Sequence, residues 1–467
     1  MRFLLLVILL AGCAVGPDYR KPEAATAPQF KEMQGWREAQ PRDELPRGSW
    51  WTVFGDPELD QLMERADVSN QNIRIAEARL RQARAVADQA RAGLFPSVTA
   101  NASAVRTKSP SLSNQPSFAT GAVNNYNVGL NASWELDVWG RVRRSVEAGE
   151  ANWQASAAQL EAARLSARAT LAQNYFALRV ADTTRRLLED TVKAFQRSLD
   201  LTQNRYKAGV AARVDVVQAE VQVKSAQASL IDVGVERAQL EHAIALQLGD
   251  VPANFALAPN DLKIAMPQVP LALPAELLER RPDIAAAERA MAAANAQIGV
   301  AKAAYFPSLT LSSATGFRGI NLANLVSTPS NFWSIGAAVA EGVFDGGLRR
   351  SQTAQAAAAY DVQVATYRQA VLTGFQEVED NLAALRILEE EAALQDEVVQ
   401  AARHAVELTT NQYSAGVVSY LNVITAQTTA LINERAAVNV LGRRLTASVG
   451  LINALGGGWT ADALPAR

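Results

Sequence analysis

The chain is poor in the groups that chemistry usually needs. Its 467 residues include one cysteine, Cys13, and two histidines, His242 and His404, each within a predicted helix. Neither histidine has another at i+4, so no metal-ligand spacing or acid–base constellation is in view. The five methionines are scattered and give no soft-metal relay. Gly456-Gly457-Gly458 lacks the strand-to-helix setting of a phosphate loop and reads as a helix stop. These absences predict neither an enzyme nor a bound cofactor or metal. A formal net charge of −2 provides no basic footprint for nucleic acid and no polybasic surface for anionic lipid. Aromatics are only 6% of residues while alanine is abundant, a balance that suits long, closely packed helices. Beyond residue 13 no run approaches the apolar length of about 20 residues that a transmembrane helix requires. Any membrane-spanning part must then be built of strands.

What is present begins at the N-terminus. Arg2, the apolar run from Phe3 to Leu10 and Ala11-Gly12 describe a secretory signal over residues 1–12. Leu10-Ala11-Gly12-Cys13 also resembles a bacterial lipobox, which would make Cys13 the acylated first residue of the mature chain; a plain signal peptide with an incidental thiol is the alternative. Several acyl chains on one residue give the stable anchoring that a single chain does not. Ala14 rather than Asp follows the cysteine, and the resemblance then favours the outer membrane.

The chain also says nearly the same thing twice. Asn204-Arg205-Tyr206-Lys207-Ala208-Gly209-Val210 returns as Asn411-Gln412-Tyr413-Ser414-Ala415-Gly416-Val417, 207 positions on. Phe95-Pro96-Ser97 recurs as Phe306-Pro307-Ser308 at an offset of 211, with Ile73 and Glu77 answered by Ile284 and Glu288. A repeat this long predicts two halves of one pseudo-symmetric object. The change of offset places a length difference between Pro96 and Tyr206, where a loop absorbs it.

From Asn127 to Val138, apolar Val128, Leu130, Ala132, Trp134, Leu136 and Val138 alternate with polar or small residues. Period two over about a dozen residues predicts a strand long enough to cross a bilayer at a tilt. Ser97–Ala104 repeats the pattern, and the second half supplies partners near Pro307–Thr315 and Phe332–Val343. Residues 106–123 and 317–331 read as hairpin loops, and Trp134, Trp139, Trp333 and Phe344 as candidates for interfacial girdles. Alternation alone suits a soluble sheet equally well. In a membrane, four strands cannot close a barrel and an open edge cannot sit in lipid, so the membrane reading requires an oligomer.

Between Arg141 and Tyr206 there is no proline and, apart from Gly149, no glycine. A helix over that stretch spans roughly 100 Å. Leu188, Val192, Phe195, Leu199, Thr202 and Tyr206 step by four and three, a coiled-coil seam, answered by Ala392, Gln395, Val399, Ala402, Val406, Thr409 and Tyr413. A return helix carries Val214, Val217, Val221, Ala228, Ile231, Val235 and Ala238 as its apolar positions. Gly209 and Gly416 mark the apices, where glycine relieves the reversal of the chain. Asp215 stands near the start of the return helix and suits a first-turn acid facing the helix dipole.

Together these stretches resemble the TolC-like outer-membrane factor family, in its lipoprotein branch of NodT-type efflux channels. Further matches are Gly16-Pro17-Asp18-Tyr19 with Pro22, Trp51 with Phe54 and Asp56-Pro57, Arg281-Pro282-Asp283-Ile284, Trp134-Glu135-Leu136-Asp137-Val138-Trp139-Gly140, and Leu455-Gly456-Gly457-Gly458-Trp459. The resemblance implies a mostly α fold with a membrane β-barrel. Three chains would contribute four strands each to a twelve-stranded barrel, continued by a helical periplasmic tunnel. It implies a passive exit duct that works with a periplasmic adaptor protein and an inner-membrane pump; a coiled-coil envelope lipoprotein acting as adaptor or scaffold is the alternative. The domains expected are a signal peptide (1–12), an anchor and equatorial segment (13–60), a first repeat (61–250), a proline-rich linker (251–282), a second repeat (283–456) and a tail (457–467). Adaptor contacts are implied at Ala208, Gly209, Val210, Ala415, Gly416 and Val417. Asp215 and Tyr413 align with a polar pair that closes the tunnel, and Asn422 and Thr425 stand where some members carry an acidic ring. With neutral residues there, and Val418 where some members carry arginine, a less charged closure is expected.

Overall fold

Equal element lengths carry the repeat into three dimensions. The computed structural model describes residues 14–23, 29–32, 49–108, 121–260, 262, 266–267 and 280–465. The signal segment, Cys13 and most of residues 261–279 lie outside that set. After α1 (Pro57–Ser69), the first half runs α2 (Gln71–Ala92), β1 (Ser97–Thr107), β2 (Val123–Leu136), α3 (Arg141–Lys207) and α4 (Arg213–Gln247). The second runs α5 (Pro282–Ala303), β3 (Ser308–Gly319), β4 (Asn331–Ala340), α6 (Leu348–Ser414) and α7 (Tyr420–Ala454). Partners match in length: 22 residues for α2 and α5, 67 for α3 and α6, 35 for α4 and α7. At about 1.5 Å per residue, α3 and α6 each reach roughly 100 Å.

The strands form one antiparallel sheet in the order β1-β2-β3-β4, so the two halves join through β2 and β3. Register puts Trp134 opposite Leu311, Leu130 opposite Thr315 and Leu311 opposite Ala337. With a period of two, the apolar positions of both halves therefore share one face. That face lies bare in the protomer: Leu130, Trp333, Ile335 and Val339 are all exposed. β2 starts earlier than the alternation indicated, at Val123, and stops at Leu136 rather than Val138. It stops because the Asp137 carboxylate leaves the pleat to accept the N–H groups of Val142 and Arg143, at 2.9 and 2.8 Å, over the first turn of α3. β4 likewise ends at Ala340, before the expected Val343, where Glu341 turns to accept from Arg349 at 2.9 Å. β1 and β3 run on to Thr107 and Gly319 and shorten both expected loops. The remainder of the first loop, residues 109–120, is outside the described set.

The four girdle candidates divide. Trp333 is 75% exposed and Phe344 92%. Trp134 is partly exposed and donates its indole N–H to the Leu94 carbonyl at 3.1 Å, the two-sided habit of an interfacial aromatic. Trp139 is turned inward instead: it stacks on Phe306 at 4.8 Å and donates to the Pro307 carbonyl at 2.7 Å. Its role is to join the strand bases of the two halves.

Below the sheet, residues 14–22 lie as a strap across both halves. Val15 N–H donates to the Trp139 carbonyl at 3.0 Å, and buried Arg144 donates to the Asp18 carboxylate at 2.7 Å. Asn295 of α5 donates to the Pro17 carbonyl at 2.9 Å, and the Tyr19 hydroxyl to Glu288 at 2.5 Å. Farther down, Trp50, Trp51 and Phe54 pack with Leu59 and Met63 of α1 against Leu171, Tyr175 and Phe176 of α3 and Leu451 and Ile452 of α7.

Candidate gate at the helical tips

Both hairpins end in the same backbone device. Gly209 and Gly416 have φ of 76° and 79°, a region that side-chain-bearing residues avoid. Gly209 N–H donates to the Tyr206 carbonyl and Val210 N–H to Arg205; Gly416 N–H donates to Tyr413 and Val417 N–H to Gln412. These paired bonds are a Schellman closure, and they explain why the Ala-Gly-Val triplet repeats. All six tip residues, 208–210 and 415–417, are exposed.

Above the apices the seam departs from the reading of the heptads. Leu188, Phe195, Leu199 and Thr202 are buried on α3, as are Val399, Ala402 and Tyr413 on α6, but Tyr206 is 45% exposed. The larger departure lies on α4. Val214, Val217, Val221, Ile231 and Val235 are exposed, and Ala219, Val223, Ala226 and Val233 face α3 in their place. α4 is apolar on two faces, so its pattern does not reveal which one packs within the protomer.

Tyr413 occupies the centre of the tip. Its ring meets Tyr420 at a centroid distance of 5.3 Å, its hydroxyl donates to Thr202 at 3.3 Å, and the Arg205 guanidinium lies 4.8 Å from its ring centre. Arg205 also donates to the Ser414 carbonyl at 2.8 Å, and Gln427 donates to Ser198 at 2.9 Å. With Phe195, Leu199, Ala219, Val223, Ala226 and Val423, the two tyrosines Tyr413 and Tyr420 form one buried apolar cluster across both hairpins. Asp215 is not hydrogen-bonded to Tyr413; its carboxylate accepts the Ala212 N–H at 3.2 Å. Its charge nevertheless reaches Tyr420, whose phenol is pushed up to about 12, first by burial and then by Tyr413 and Asp215. Asn422 and Thr425 are both exposed and stand one turn apart on α7, so they share a face. Thr425 donates back to the Leu421 carbonyl at 2.9 Å, and Asn422 accepts a long bond from Ser419 at 3.5 Å.

Arg205 is the residue that the sequence did not flag. Its hydrogen-bond partner Ser414 is 209 positions away, and the only hint was a break in the repeat, Arg205 against Gln412. Among the described residues no group of three or more His, Cys, Asp or Glu side chains is arranged to hold a metal ion. Among them, too, no helix is long and apolar enough to cross a membrane.

A four-stranded sheet with a bare apolar face, set on paired helices of roughly 100 Å, defines a class of protein that works across an envelope. The chain belongs to the outer membrane efflux protein family, whose model matches residues 62–250 and 273–457. A probable efflux pump outer membrane protein of Pseudomonas putida, TtgC, is 32% identical over 455 residues, covering 97% of this chain and 94% of its own. The solved outer-membrane channel OprN superposes with a TM-score of 0.89 at 33% identity, over 96% of this chain and all of that one. The open-state outer membrane channel MtrE of Neisseria gonorrhoeae gives 0.85 at 30% identity, over 96% and 99%. Like these relatives, the chain is an outer-membrane component of efflux, and its fold is theirs.

Proposed function

We propose that three copies of this chain close a twelve-stranded barrel and a helical tunnel, forming a passive duct through which an inner-membrane pump expels solutes. The observation that carries this reading is the sheet itself. Its four strands leave β1 and β4 as edges, and its apolar face is bare. In lipid an unpaired edge leaves backbone N–H and C=O groups without partners, so edges of neighbouring copies must pair. The exposed apolar stripe on α4 gives the same copies a place to meet below the membrane.

On this reading Cys13 carries the acyl anchor, and the strap that begins at Ala14 holds it at the level of the strand bases. The tips, 208–210 and 415–417, meet the periplasmic adaptor. Asp215, Tyr413, Asn422 and Thr425 line or brace the closed mouth, which the neutral Asn422 and Thr425 leave weakly charged. The work is conduction rather than catalysis: the pump supplies energy, and the duct supplies a water-filled path. The test is planar-bilayer conductance of the purified, acylated protein, together with its mass in detergent. Discrete channels from a trimer are expected; a monomer that carries no current would sink the duct.

A further inference from the structure

We infer that Arg318 makes the outer end of the bore selective for anions, receiving the carboxylate, sulfonate or phosphate group of a departing solute. This rests on the trimeric duct proposed above, in which the apolar face of the sheet meets lipid and the opposite face lines water. The observation that carries it is a one-sided distribution of charge. Residues 97–134 and 308–340, the two strand hairpins with their loops, contain Arg106, Lys108 and Arg318 and not one aspartate or glutamate. The chain as a whole carries a net charge of −2, so the barrel end runs against the sign of the rest.

Register separates the three cations. Arg106 lies opposite Asn124 and in phase with Val98, Ala100, Ala102 and Ala104, on the apolar face. Lys108 follows the end of β1. Arg318 lies opposite Asn127 and in phase with Ser312, so it alone of the three stands on the polar face. The nearest acid of that face, Glu135, is eight residues below Asn127, roughly 27 Å along the strand. It is already taken by Arg141 at 2.6 and 2.8 Å, and at physiological salt charges more than about 8 Å apart are largely screened.

The surroundings of Arg318 hold it open. The side chain is exposed, and its guanidinium carbon lies 5.0 Å from the ring centre of Phe332, which stands opposite Gly316 on the same face. An aromatic neighbour steadies a guanidinium without consuming its N–H donors, which remain free to take an oxyanion in a forked pair. Below it Gly316 pairs with Gly129, two facing positions without side chains. A Cβ on either would fall 2.3 or 2.7 Å from a carbonyl oxygen of the opposite strand, so the wall directly beneath Arg318 is backbone.

Thiol modification of the full, acylated trimer in liposomes tests this from the barrel side. Asn125 is exposed on the polar face and diagonal to Arg318, a spacing of about 7 Å. Asn125→Cys is treated with an anionic (2-sulfonatoethyl) or a cationic (2-trimethylammonioethyl) methanethiosulfonate at low salt, with the protein lacking that cysteine as the blank. Arg318→Gln should lower the anionic-to-cationic rate ratio about fivefold, and Arg318→Lys should keep most of it. An unchanged ratio in Arg318→Gln overturns the inference. So does a ratio lost only when Arg106 and Lys108 are both replaced by glutamine, which places the preference on the outer rim. An Asn125→Cys protein that reacts with neither reagent means that the polar face lines no water; that sinks the duct itself, and is told apart from an unchanged ratio.

Discussion

α3 passes through two very different surroundings. Near its middle, around Tyr175, it is enclosed by α1, α7 and the chain at 257–260; near its end, around Tyr206, only its inner side is covered. At the middle, Arg179 is 1% exposed yet charged, and both its terminal nitrogens are engaged: it donates to Asp182 at 2.8 Å, to the Ala258 carbonyl at 2.9 Å and to Glu58, and lies over the Tyr175 ring. Arg237 of α4 donates to the same Asp182 at 2.7 Å, and the Tyr175 hydroxyl to Asp56 at 2.6 Å. The tip has far fewer such ties and leaves apolar surface bare. One helix thus holds a region complete within the protomer and a region that the proposed trimer would cover.

The largest effect should come from breaking the complete region. Arg179→Ala leaves Glu58 and the Ala258 carbonyl without their donor and halves the positive charge on Asp182. Removing one member of a buried ion pair costs about 3 kcal/mol. Chemical unfolding of the purified protein should show that loss. By contrast, Lys193→Ala breaks a pair whose side chains are 66% and 65% exposed, and should change stability by less than about 0.5 kcal/mol.

Next in size is a charge on the waiting face. Ile231 is 76% exposed in the protomer, so Ile231→Asp costs the isolated fold nothing by burial. Against a second copy, the carboxylate becomes an unpaired charge in an apolar contact, worth on the order of 2–4 kcal/mol per interface. On the proposed trimeric duct, native mass measurements should find monomer for this variant and trimer for the unaltered chain, with helical circular dichroism unchanged. A variant that stays trimeric would move the contact between copies off this face.

A smaller effect follows from pH at the tip. Tyr420 is raised to about 12 in the folded chain, chiefly by burial, against about 10 when unfolded. The stability it adds is therefore fully present below about pH 10 and is lost as pH climbs through about 12. Protection from hydrogen exchange around 413–427, taken relative to the base-catalysed intrinsic rate, should fall across that window while protection around Arg179 holds, and Tyr420→Phe should flatten the response.

The sequence made some of this plain and hid the rest, for physical reasons. β2 was legible because one face of a sheet meets a single environment and alternation records it. The packed side of α4 was hidden because Val217 and Val223 are equally apolar, and periodicity cannot say which side meets its own chain. Tyr206 continued a heptad past the place where the hairpin closes, so it was counted as seam. The Arg179–Asp182 pair looks like any solvated i, i+3 pair until α1 and residues 257–260 cover it. Arg205 needed the fold, because its partners belong to the other half of the repeat.

Asp215 gives the finest discrimination between a tip that merely folds and a tip that gates. As a first-turn acid it accepts the Ala212 N–H at 3.2 Å and faces the positive end of α4. Asp215→Ala removes that acceptor and should cost about 0.5–1 kcal/mol locally, whatever the role of the residue in closure. A part in the gate adds a second consequence: the mouth loosens and single-channel conductance rises. Exchange at the start of α4 and conductance should therefore both increase if Asp215 braces the closed state. Faster exchange with unchanged conductance would leave it a helix cap, and closure would then rest on the Tyr413 side of the tip.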